Sequence, residues 1–152
     1  MFKGAGFFAG LGSAASGTAI ITNGDTLFTI ANGPIMILAL QSVCITSNVG
    51  TASTIQYSSS PTVGSATTFS AASASMTSMN AGASVTLNGT ALSTAPDIVL
   101  QSAGAVTLGA NVANRIIIQA GTITAVIGTG PTAGTFKHFI AYIPLAPNVT
   151  VS

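Results

Sequence analysis

Residues 134–145 read G-T-F-K-H-F-I-A-Y-I-P-L, Gly134 to Leu145, and the reading of this stretch decides the fold. Counted by twos, Phe136, His138, Ile140 and Tyr142 share one face of an extended strand. Lys137, Phe139, Ala141, Ile143 and Leu145 share the other. Both faces are apolar beyond the Lys-His pair at the start. An antiparallel strand with one wet side would instead alternate apolar and polar residues. The segment therefore needs cover on both sides, the core of a sandwich on one and a second layer, a neighbouring subunit or an N-terminal arm on the other. Phe136, Phe139, Ile140, Tyr142 and Ile143 are accordingly candidate subunit-interface or core residues. Pro144 and Pro147 end the strand, because proline cannot donate to a ladder.

The rest of the chain follows the same pattern. Glu is absent and Lys, Arg and Gln are scarce, while Thr, Val and Ile recur in short runs between Gly, Asn, Pro and Ser. Strands are predicted over residues 18–22, 25–30, 35–46, 53–58, 84–87, 97–100, 115–120, 123–127 and 135–143. Asn23-Gly24, Asn32-Gly33-Pro34, Asn48-Val49-Gly50, Asn88-Gly89 and Gly128-Thr129-Gly130-Pro131 supply the turns. Arg115-Ile116-Ile117-Ile118 is a second run that is apolar on both faces after its first residue. Short strands at close spacing predict an all-β fold, an antiparallel β-sandwich or a jelly-roll-like barrel.

Two regions depart from the strand pattern. Residues 1–17 are rich in Gly and Ala yet carry Phe2, Phe7 and Phe8. They read as an extended N-terminal arm that docks on a neighbour, or else as the first strand or helix of the domain. Residues 18–152 then form a single domain. Within it, residues 58–83 are low in complexity and read as a long loop, or a weak helix around 71–79; a loop of that length commonly faces a partner.

Composition narrows the function classes. Charged residues make up 3% of the 152, against roughly 25% in ordinary soluble domains. The longest apolar run, Pro34 to Ile45, is interrupted by Gln41 and Ser42, so no transmembrane helix and no membrane partner are expected. The N-terminus imitates a secretory signal only weakly, its apolar core being broken by Gly6, Gly10 and Gly12. A net charge of +1 gives no footprint for nucleic acid. The single cysteine, Cys44, excludes an intrachain disulfide and a cysteine zinc cluster, and it reads as a small buried residue. One His and two Asp, far apart in sequence, offer no metal site, and no glycine-rich phosphate loop or nucleophile elbow is present. No catalytic residue, metal or cofactor is expected, and Asn88-Gly89-Thr90 and Asn148-Val149-Thr150 read as chance glycosylation matches. With so little charge to keep a free monomer apart from its neighbours, the chain is expected to work inside an assembly.

The order I-I-I-Q-A-G-T-I-T (116–124), G-T-F-K-H-F-I-A-Y-I-P-L (134–145) and a short valine-containing tail resembles small structural proteins of tailed bacteriophages, the capsid decoration or cement class. The resemblance covers roughly the last 40 residues. It implies a non-enzymatic β-sandwich or jelly-roll protein, frequently a homotrimer, on the outer capsid surface of the virion, bridging subunits of the major capsid protein. It makes Gly121, Gly134, Lys137, Tyr142 and Pro144 structural landmarks, and puts His138 in an aromatic packing role where related sequences often have Trp. Phe2, Phe7 and Phe8 become candidate contacts to the capsid or an adjoining subunit. Another virion component (tail, fibre or minor capsid protein) and a secreted bacterial adhesin or surface-layer module are the alternatives.

Overall fold

The computed structural model describes residues 11–87, 95–99, 116–129 and 132–152, and among these there is no helix. Two antiparallel sheets form a β-sandwich. The larger contains β1 (Gly12–Ala15), β2 (Ala19–Ile20), β4 (Ile35–Cys44), β7 (Ser84–Thr86), β8 (Asp97–Val99), β9 (Ile116–Ile118) and β11 (Thr135–Pro144). The smaller contains β3 (Thr26–Ala31), β5 (Ile55–Pro61), β6 (Thr67–Thr68), β10 (Gly121–Ile127) and β12 (Thr150–Val151). In the larger sheet β11 and β4 are central, with β1 and β2 along the free side of β11 and β7 and β9 along β4. The smaller sheet runs β12-β3-β10-β5-β6.

Alternation explains the core. Phe136, His138, Ile140 and Tyr142 of β11 all point inward and are buried, as the spacing predicts. They meet Ile35, Ile37, Leu40 and Cys44 of β4 and, across the sandwich, Phe28 and Ile30 of β3, Ile123 and Ala125 of β10, and Ile55 and Tyr57 of β5. Each large apolar side chain buried in this way contributes about 1.5–3 kcal/mol.

The register contains a switch that alternation alone does not foresee. Ala141 opposes Ala39, but Tyr142 opposes Ile37, leaving Leu38 as an extra residue in β4. This bulge reverses the parity of β4, so that Ile35 and Ile37 face inward before it and Leu40, Ser42 and Cys44 after it. A second irregularity, where β10 meets β3 at Ile123/Thr124, buries Leu27 and Phe28 side by side. Gly121, at φ +148°, lies where an added Cβ would strike the backbone of Ser60 and Pro61, so glycine is required for β10 to pass β5 at that point. Asn32 and Gly33 both take positive φ and make the tight β3–β4 connection expected from Asn-Gly-Pro.

Two expectations are revised. Part of the segment read as an arm belongs to the sandwich: Gly12–Ala15 pair with Tyr142 through Phe139 as an edge strand. Ser16 extends the pairing, donating its N–H to the His138 carbonyl and accepting the His138 N–H on its Oγ, both at 2.9 Å. Gly12 fits because its missing side chain leaves room for the Tyr142 ring. Residues 1–10, with Phe2, Phe7 and Phe8, lie outside the described residues.

The low-complexity stretch is the second revision. It continues β5 to Pro61, forms β6, and then crosses the sandwich as irregular chain that is neither helical nor free. Phe69, Met76, Met79 and Ala83 are buried, and Phe69 stacks on Tyr57 with ring centroids 6.3 Å apart. Serines replace a strand partner: the backbone N–H of Tyr57 donates to Ser70 Oγ (2.9 Å) and that of Ile55 to Ser73 Oγ (3.0 Å). Fully buried Asn48 ties the same region to the β10–β11 connection, donating to the Met76 carbonyl and accepting the N–H groups of Ala133 and Gly134. The repetitive serines therefore satisfy backbone groups, and the stretch functions as a core wall.

Candidate functional site

Of the five β11 residues singled out from sequence, Phe136, Ile140 and Tyr142 are core, while Phe139 and Ile143 lie on the opposite face. The second cover expected for that face is not supplied by the described residues. Phe139 is 39% exposed and Ile117, on the other doubly apolar run, is 55% exposed. Across the larger sheet the outer side chains of neighbouring strands are Ile117, then Met36, Leu38, Ala39 and Val43 of β4, then Phe139, Ala141 and Ile143 of β11. Lys137 is the one charge that β4 and β11 place there, and its Nζ sits 5.6 Å from the centroid of the Phe139 ring. At the flank Gln41 donates to Ser84 and Thr86, closing the apolar strip with a hydrogen-bonded rim.

The outer face of the smaller sheet is of the opposite kind. Thr29, Thr122 and Ser60 align across β3, β10 and β5, and Thr26, Thr124 and Ser58 form the next row. Apart from Ser58, which is buried, these hydroxyls meet water without charge. The two faces thus differ in wettability although both belong to one nearly uncharged chain, and it is the apolar one that no other described segment covers.

His138, the chain's one histidine, turns inward and joins a polar chain through the core. Its Nδ1 lies 2.7 Å from Ser42 Oγ, which in turn lies 2.8 Å from the Tyr57 hydroxyl. Burial lowers the His138 pKa to about 4, against the opposing pull of the negative Asp25. Burial also raises the Tyr57 phenol well above its ordinary value, with the Ser42 hydrogen bond acting the other way. Ser42 is fully buried and so is no nucleophile for an outside substrate. Asp25 is engaged locally, accepting the Thr22 N–H at 2.6 Å and the Thr22 hydroxyl at 2.7 Å.

Sequence spacing had no means of pairing Ser42, Tyr57 and Asp25 with His138. The only usable signal is that a polar residue stands among apolar ones at Ser42, and the bulge at Leu38 is needed to turn it inward. Cys44 is buried as read from sequence, its thiol donating to the Thr46 carbonyl, and burial raises its pKa despite the Asn48 backbone N–H. Among the described residues no three His, Cys, Asp or Glu side chains are placed to hold a metal ion, and no helix is long and apolar enough to cross a membrane.

No protein-family model, curated protein or solved structure matches this chain.

Proposed function

We propose that this chain is a non-enzymatic virion structural protein that decorates an icosahedral phage capsid from outside, bridging major capsid subunits as a homotrimer. The observation that carries the reading is the outer face of the larger sheet: a strip of Ile117, Leu38, Ala39, Ala141, Phe139 and Ile143 carrying a single ammonium group. Left wet, such a strip favours association, and exposed apolar patches of this kind mark interaction surfaces. An interface built from apolar and hydroxyl groups loses little when salt screens charge, which suits a coat exposed to changing ionic strength. Repetition over a lattice then multiplies weak contacts into firm attachment.

The test combines imaging and mutation. Purified virions carrying this chain are reconstructed, and density for the sandwich is sought at capsid threefold positions. Density confined to a tail or fibre, or none on the particle, overturns the proposal. In parallel, Phe139→Ser/Ile117→Ser, which alters only outward side chains, is expected to keep the wild-type circular dichroism and lose at least about tenfold in affinity for the capsid, equivalent to about 1.4 kcal/mol per site. Wild-type affinity in this variant removes the apolar face from the mechanism.

A further inference from the structure

A cavity of about 380 Å³ lies between residues 16–21, which run along β11 at the edge of the larger sheet, and the start of β3. Asp25, Leu27 and His138 line it. That size lies in the range of small-ligand pockets. Among the described residues the Nε2 of His138 has no hydrogen-bond partner, although the ring is 4% exposed. No sealed side-chain nitrogen or oxygen of the described residues lacks a partner, so Nε2 opens on the cavity.

The polar chain behind the ring determines what Nε2 presents. Among the described residues the Tyr57 hydroxyl has one partner, Ser42, and both residues are fully buried. All protons are satisfied only when Tyr57 donates to Ser42 and Ser42 donates to Nδ1. A proton on Nδ1 would leave the Tyr57 or the Ser42 hydroxyl hydrogen buried without an acceptor, which is costly. Nδ1 is therefore the acceptor and Nε2 carries the hydrogen. The lining of the cavity thus includes an N–H donor and a carboxylate whose oxygens keep lone pairs beyond those used by Thr22.

We propose that this cavity binds a neutral carboxamide, its carbonyl accepting from His138 Nε2–H and its amide N–H donating to Asp25. The opposed senses of the two partners select this class. An anion would face the Asp25 carboxylate, and a cation would face an N–H donor. A transition metal would need the Nε2 lone pair, hence the tautomer that strands a buried hydroxyl. The site is independent of the apolar face, which lies on the other side of the larger sheet. A carboxamide reaches it either as a free amide or as the Gln or Asn side chain of another protein.

Because the chain has one histidine, its ring resonances report on this site alone. Nitrogen-detected NMR of the full chain at neutral pH is expected to show the Nε2–H tautomer. Acetamide is expected to shift those signals saturably, with a Kd on the order of millimolar, whereas acetate and zinc chloride leave them unmoved. A Gly-Gln-Gly peptide binding at least as tightly as acetamide, with Gly-Glu-Gly silent, assigns the ligand to a partner side chain; acetamide binding alone assigns it to a free amide. Asp25→Asn, with its backbone spectrum checked against wild type, is expected to weaken acetamide binding about tenfold. The Nδ1–H tautomer, a zinc or acetate response, equal shifts from ethanol, or no response to acetamide would each overturn the proposal.

Discussion

Acidification should unfold this protein chiefly through one ring. His138 has a native pKa of about 4, set by burial and partly relieved by Asp25, against 6.5 in the unfolded chain. At about 1.36 kcal/mol per pH unit the gap corresponds to about 3 kcal/mol. Above pH 6.5 the ring is neutral in both states and the whole contribution is present. Between 6.5 and about 4 the unfolded chain takes up a proton that the native chain refuses, so stability falls steadily as pH drops. Below about 4 both states are protonated and the contribution is gone. The matching control is His138→Asn, whose side-chain oxygen can still accept from Ser42 but does not titrate. Urea denaturation of both proteins at pH 7 and pH 4 gives the comparison. Wild type should lose about 3 kcal/mol more than the variant on acidification, or about 6–12 °C in Tm for a chain of this size. Equal acid sensitivity of the two proteins, or an NMR titration of the His138 ring with its midpoint near 6.5, refutes the reasoning.

Three further outcomes follow from the packing. Ile140→Asp places an unpaired carboxylate in the core opposite Leu40 and should cost more than about 4 kcal/mol, abolishing the cooperative urea transition; Phe139→Asp, one residue away on the outer face, should retain it. Gly121→Ala forces a side chain into the Ser60–Pro61 backbone at positive φ and should lower the urea midpoint by the equivalent of about 2–4 kcal/mol, whereas Gly17→Ala, with open space around it, should change it by less than about 0.5 kcal/mol. The Cys44 thiol, buried and with its pKa raised, should react with a disulfide reagent at least about a hundredfold faster in denaturant than in buffer; an equal rate in both would contradict its burial.

The sequence by itself determined the class of fold and the two faces of β11. Both depend on local properties: β-branched and turn residues select short strands, and period-two alternation assigns Phe136, His138, Ile140 and Tyr142 to one side wherever the strand packs. It also placed the Asn32-Gly33 turn, because positive φ is a property of the residues concerned. Contacts between distant segments decided the rest. Gly12–Ala15 have no strand signature of their own and are held by the ladder that β11 offers. Residues 58–83 read as a long loop or a weak helix because their serines resemble solvent-seeking residues, yet Ser70 and Ser73 serve the backbone of β5. Most consequential is the single extra residue at Leu38. Period-two counting from Ile35 would send Ser42 to the outer face; the bulge, imposed by how β4 and β11 register, turns it toward His138 instead. A one-residue shift exchanges the faces of everything beyond it, and only the paired strand reveals where the shift occurs.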